Sequence, residues 1–228
     1  PPPPLVRALR GASRDCPPNT LDAFRAALVL GADGVELDVQ LTEEGLAVVH
    51  HDAALVDGRR IRGLPYESLP VWVPPLEAVL GACAGLALVN IELKTTVDDD
   101  DGERAASADV VVDLVDRLGM ADRVRVSSFD PVPLARVRDS ASHLPTALLV
   151  VDPGPDGVTR ALDGGHAGLN PWFGFVDGAL ADAARGAGLA LHPWTVDDEG
   201  HIRDLAALRV SSVITNRPDV ARPALGPR

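Results

Sequence analysis

"GVELDVQLTEEGLAVVHHD", Gly34 to Asp52, decides between two folds. Its first half (GVELDVQL) alternates apolar and polar residues and its second (LAVVHH) opens on a short apolar run with β-branched valines, so both read as strands. Little more than "EEG" lies between them. A parallel crossover needs a dozen residues or more, so the two halves form an antiparallel hairpin. Seven further stretches read as strands: LVRAL (5–9), LALVNIELK (86–94), RVRVSSF (123–129), TALLVV (146–151), AGLNP (167–171), LALHPWTV (189–196) and SSVIT (211–215). Setting aside the hairpin's return strand leaves eight, separated by helical patterns. That alternation is the signature of a parallel sheet, and eight such units close into a (β/α)8 TIM barrel. The expected architecture is one α/β domain over residues 1–228, with an extra β-hairpin near residues 36–51 at the C-terminal mouth.

Helical spacing supports this. Leu21, Phe24 and Leu28 share one face, as do Leu76, Val79, Leu80 and Cys83, and then Val111, Leu114, Val115 and Leu118. "DGALADAARGAG" (177–188) and "PVPLARVRDS" (131–140) add two more helices, the latter with proline in its first turn. Gly31, Gly119 and Gly188 stand where helices end. Asp57–Glu77 has no periodicity and reads as a loop crossing the barrel mouth. Thr95–Glu103 reads as a solvated acidic loop, and the tail RPALGPR (222–228) as fraying.

Composition narrows the function. A net charge of −12 argues against a sequence-independent nucleic-acid binder, whose affinity comes mainly from neutralising phosphates. It leaves a phosphate ester open as substrate, since a bound cation reverses the local field. No apolar run reaches the ~20 residues of a membrane span, and the proline-rich start lacks a signal-peptide core. Stable membrane insertion is not expected. Cys16 and Cys83 match no metal spacing and read as free thiols of a reducing, cytoplasmic compartment.

Chemistry gathers on two strands. Glu36 and Asp38 are two apart, so both side chains leave the same face. The inner face of a parallel barrel is apolar except at the mouth, and two inward carboxylates need a cation or donors to hold them. A turn at Glu43–Gly45 brings His51 nearly opposite Glu36. "NIELK" repeats the pattern: Asn90 and Glu92 share a face, with Lys94 further toward the mouth. Three carboxylates meeting inside a barrel suggest a hard divalent ion with oxygen ligands, Mg²⁺ or Ca²⁺. The alternatives are structural: Glu36 and Asp38 held by arginines such as Arg10, and Glu92 paired with Lys94. Of the other imidazoles, His50 follows the opposite strand face. His192 lies one layer below Trp194 as a barrel residue, and His143, His166 and His201 read as surface groups.

The stretch "RGASRDCPPNTLDAFRAALVLGADGVELDVQLTEEGLAVVHHD" (10–52) resembles the core signature of the glycerophosphodiester phosphodiesterase family. That pattern runs His-Arg-Gly, then Glu-Asn-Thr, then "GAD.vElDVqlT.Dg..Vv.HD". NIELK, VSSFD, WTVDD and VITNRPD match its later landmarks in order, so the likeness covers nearly the whole chain. It implies a divalent metal on Glu36, Asp38 and Glu92, and His51 as general acid or base. It further implies Arg10 and Lys94 on the phosphoryl oxygens and Trp194 lining the glycerol or leaving-group pocket. The implied reaction is hydrolysis of a small glycerophosphodiester to glycerol 3-phosphate and an alcohol.

Four positions depart from the pattern. Leu9 replaces the first histidine, Pro18 the glutamate of Glu-Asn-Thr, Asn216 an aspartate and Pro75 a threonine. Leucine can neither carry a proton nor donate a hydrogen bond. Two readings follow: a metal-dependent phosphodiesterase, weakened or not, and a non-catalytic barrel that binds a phosphorylated small molecule. A purely structural role fits poorly with the intact carboxylates, His51 and Lys94.

Overall fold

The computed structural model describes residues 2–86 and 88–226. Among the described residues there are nine strands: β1 (Leu5–Leu9), β2 (Gly34–Leu41), β3 (Ala47–Val49), β4 (Leu88–Leu93), β5 (Val124–Ser128), β6 (Thr146–Val150), β7 (Gly168–Pro171), β8 (Ala190–Leu191) and β9 (Ser212–Thr215). Eight run parallel in the order β8-β7-β6-β5-β4-β2-β1-β9, and β3 pairs antiparallel with β2 and bridges Pro75 through Val48. β8 has only two residues, so the ring closes through less regular bonds. Ser211 N–H donates to Leu191 O and Ile214 N–H to Pro193 O, both at 2.9 Å. The β2–β3 turn falls where the sequence puts it, with Gly45 N–H donating to Thr42 O at 3.0 Å and Gly45 at φ +81°.

Helices α1 (Leu21–Val29), α2 (Leu76–Ala82), α3 (Asp101–Arg117), α4 (Pro131–Ser140), α5 (Gly157–Asp163), α6 (Gly178–Gly186), α7 (Glu199–Ala207) and α8 (Pro218–Leu225) follow the strands. Their starts are written in side-chain caps: Thr20 accepts from Ala23 N–H, Asp130 from Val132, Asp177 from Leu180 and Asp198 from Gly200 and His201. The apolar faces of α1, α2 and α3 pack on the outside of the sheet in one continuous core with Val35, Leu37, Val89 and Ile91. No helix among the described residues is long and apolar enough to cross a membrane.

Three expectations need correction. The acidic segment 95–103 is not a free loop, because Asp100 and Glu103 form a reciprocal capping box and α3 begins at Asp101. Asp99 within it is 8% exposed and accepts from Thr96 N–H at 2.7 Å and from Arg62 at 3.3 Å. Segment 57–77, expected to cross the barrel mouth, lines a groove outside it through Val71, Trp72 and Pro74, and it folds around a small core, Leu55, Ile61, Leu69 and Val73 against Val48. It also carries two 3-10 turns at Ile61–Gly63 and Tyr66–Ser68. The tail is helical through Leu225, tied down by Arg222, which binds Asp33 and donates to Gly31 O at 3.0 Å. Residues 227 and 228 of that tail lie outside the described residues.

Candidate active site

Strand register builds the site. Leu9 pairs with Glu36 across β1–β2, Glu36 with Asn90 and Asp38 with Glu92 across β2–β4. Paired residues of parallel strands point to the same side, so all these side chains enter the barrel together. Glu36, Asp38 and Glu92 are 3%, 0% and 8% exposed. Each offers an oxygen within 4.8 Å of the others'. Asp38 is held by three side chains. Asn19 Nδ2 donates to its Oδ2 at 2.8 Å, Arg10 Nε lies 3.0 Å from the same oxygen, and Lys94 Nζ is 3.5 Å from Oδ1. Lys94 also donates to Glu92 at 2.7 Å. Of the structural alternatives, the Arg10–Asp38 and Lys94–Glu92 pairs are formed, while Glu36 has no ion pair among the described residues.

Crowding shows in the carboxylates. Burial, then the charges of Asp38 and Glu92, push Glu36 well above the usual carboxylate range. Burial and Asp38 push Glu92 up to about 7, against the pull of Lys94 and Arg10. Burial disfavours the Lys94 ammonium, yet Glu92 and Asp38 outweigh it and hold its pKa above the ordinary value. Three buried oxygens this close, two of them on groups forced toward protonation, suit a hard divalent cation in donor type and spacing.

Arg10 sits at φ +55°, uncommon for a residue with a side chain, and its N–H donates to Glu36 O at 2.8 Å. Gly11 follows at φ +82°. A Cβ there would lie 2.5 Å from the Ala23 carbonyl carbon, so only glycine lets this turn rest on α1. That contact fixes Arg10 over Asp38.

His51 departs from the expected geometry. The β2–β3 ladder pairs Val39 with Val49 and ends there, so His51 lies beyond it and not opposite Glu36. His50 N–H makes the last bond, to Asp38 O at 3.0 Å. His51 still borders the cavity that holds Glu36 and Glu92. Its Nδ1 binds Asp52 at 2.7 Å, and that hydrogen bond holds the Asp52 carboxyl below its usual range. An imidazole oriented by a carboxylate through one nitrogen can move a proton with the other.

Below the carboxylates the barrel floor is cationic. Arg7 (1% exposed) and Arg125 meet at His192, which also binds Ser212 Oγ at 2.9 Å. Burial, then Arg7 and Arg125, push the His192 imidazole well below its ordinary range. It is a bonded barrel residue, as its strand position implies. His143 and His201 are exposed, but His166 is buried and bonded to Thr146 Oγ1 at 2.9 Å, correcting its reading as a surface group.

A cavity of about 240 Å³ opens over the carboxylates, walled by Leu9, Phe129, Leu149, Trp194 and Ile214. Trp194 also lines it, its Nε1 donating to Asn170 O at 2.8 Å. Sequence reading missed Asn170 and Asn19. Asn170 shares its inward face with Gly168 in "GLNP", a weak signal. Asn19 is the asparagine of the Asn-Thr pair, and its side chain turns inward to Asp38 while Thr20 caps α1.

The model of the glycerophosphoryl diester phosphodiesterase family matches residues 10–220. The chain belongs to that family. A glycerophosphodiester phosphodiesterase of Bacillus altitudinis is 31% identical, covering 95% of this chain and 96% of its own. One from Caldanaerobacter subterraneus is 29% identical over 94% and 95%. Among solved structures, the glycerophosphodiester phosphodiesterase of Thermotoga maritima has a TM-score of 0.80 at 25% identity, covering 95% of this chain and 96% of its own. An Oleispira antarctica phosphodiesterase in complex with the product sn-glycerol-3-phosphate reaches 0.89 at 24%, covering 97% and 96%, a likeness of fold.

Against the family pattern, Leu9 ends β1 with its side chain in the cavity, where a histidine would stand. Pro18 lies further out, exposed on a neighbouring groove. Asn216 is compatible with its surroundings: its Nδ2 donates to Asp197 at 2.7 Å, where an aspartate would meet a second carboxylate.

Proposed function

We propose that this chain hydrolyses glycerophosphodiesters to glycerol 3-phosphate and an alcohol, using one divalent cation, Mg²⁺ or Ca²⁺, held by Glu36, Asp38 and Glu92. The reading is carried by three buried carboxylates with oxygens within 4.8 Å at the mouth of a barrel of this family. Arg10 and Lys94 border the same cavity and would bind the phosphoryl oxygens, their charges concentrated by the low-dielectric wall. His51, oriented by Asp52, would move the proton of the attacking or leaving oxygen. Trp194 and Phe129, edge to face at 5.7 Å, would exclude water and hold the carbon skeleton. The ion, when bound, supplies Lewis-acid polarisation of a phosphoryl oxygen. Leu9 supplies no proton, so turnover should be slow.

The direct test is release of glycerol 3-phosphate from glycerophosphocholine with added Mg²⁺ or Ca²⁺. Absence of release, with the metal bound, would leave a binding barrel. Metal binding has a separate readout. Millimolar Mg²⁺ or Ca²⁺ should raise the melting temperature by an amount set by concentration over dissociation constant, and Glu36→Ala should abolish the shift. An unchanged melting temperature, or an equal shift in the variant, would refute the ligand assignment.

A further inference from the structure

We propose that the preferred substrates of this site carry a bulky apolar alcohol as the leaving arm, lying in a groove outside the barrel mouth while the glycerol arm enters the barrel. This rests on the phosphodiesterase reading for its reaction but on separate observations for its substrate.

Two cavities meet at the site. The inner one, about 240 Å³, and an outer groove of about 760 Å³ share Arg10 and His51 in their walls. A phosphodiester held by Arg10 would therefore extend one arm into each. Inside, the side chain of Asn170 is wholly buried, and neither its Nδ2 nor its Oδ1 has a partner among the described residues. Asn90 Oδ1 is equally unpartnered, its Nδ2 being spent on Ser127 at 2.8 Å. Buried amides left open this way need donors and acceptors together, which the hydroxyls of a polyol provide. The inner cavity is thus suited to glycerol.

Outside, the lining changes character. Pro17, Pro18, Val71, Trp72 and Pro74 supply carbon surface and no side-chain charge. Val71 is fully exposed and Trp72 48% exposed, its indole tilted against the His50 ring with centroids 5.7 Å apart. Adjacent exposed apolar side chains beside a catalytic cavity mark a surface meant to be covered. The charged groups on the rim are already committed: Arg25 to Asp22 at 3.4 Å and Asp52 to His51 at 2.7 Å. An alkyl or aryl arm laid on the carbon surface of Pro17, Pro18, Val71, Trp72 and Pro74 gains from every carbon buried.

The experiment compares kcat/KM for the glycerol 3-phosphate diesters of ethanol, butanol and octanol. In parallel it measures calorimetric affinity for ethyl and octyl phosphate, which requires no turnover. We expect the octyl compounds to be favoured at least tenfold in both series. Trp72→Ala and Val71→Ser should each flatten that preference while leaving the ethyl compounds unchanged. Asn170→Ala should raise KM for all three diesters alike. A flat series in the parent overturns the assignment, as does a preference that survives both groove variants, since the tail would then lie in the inner cavity. If no diester is hydrolysed but octyl phosphate binds through Trp72, the hydrolase reading fails and the groove assignment stands.

Discussion

His51→Ala should lower phosphodiester hydrolysis by roughly 10²–10⁴-fold, about 2.7–5.5 kcal/mol of barrier, the ordinary worth of one acid–base group. The structure offers no replacement imidazole. His50 bonds the Asp52 carbonyl at 2.8 Å and packs its ring on Trp72, on the groove side. His192 is buried on the floor, pinned between Arg7, Arg125 and Ser212. The metal-dependent rise in melting temperature should survive the substitution, because His51 is no member of the carboxylate cluster. Comparing kcat/KM with the parent across pH, alongside that thermal shift, isolates the proton-transfer role. A variant within tenfold of the parent would assign that role to another group.

Leu9→His should act in the opposite direction, raising activity by about one to three orders of magnitude. Leu9 is the register partner of Glu36 and its side chain already lines the inner cavity, so an imidazole there would face the phosphoryl group from the wall adjoining the carboxylates. Placing a polar ring where leucine packs should cost about 1–2 kcal/mol of stability, so melting temperature and metal response must be followed with the rate. Pro18→Glu lies on the outer groove, away from the carboxylates, and alone should do less; the pair need not add. A folded, metal-responsive Leu9→His protein with no gain in rate would indicate a barrel kept for binding.

Much of this was legible because period and length are local properties. The short connection after Gln40-Leu41 forces the hairpin whatever the rest of the chain does, and i, i+2 spacing puts Glu36 with Asp38 and Asn90 with Glu92 on common faces. What escaped depended on contacts distant in sequence. Register is one case: the ladder ends at Val49, so His51 reaches the cavity from a loop and not from a paired position. The helices α5, α7 and α8 are another gap, although α7 carries Ile202 and Leu205 at helical spacing. Asn170 and His166 show a third limit. Alternation gives a side chain's direction but not its depth or its unmet hydrogen bonds. The segment 95–103 shows a fourth, where a run of like charge looked solvated although Asp100 and Glu103 had the spacing of a cap.

The position of the carboxylates on the ring has a consequence for motion. Asp38 and Glu92 are partners across β2–β4, whereas the ring closes elsewhere, between a two-residue β8 and β9. An ion held there would staple one stretch of wall and add nothing to the closure, where opening has the fewest regular bonds to break. Amide exchange should register the difference, with metal slowing protons of β2 and β4 and leaving those around Leu191 and Ile214 nearly as fast as before. The molecule would then have a stiffened wall that holds the chemistry and a seam that still breathes.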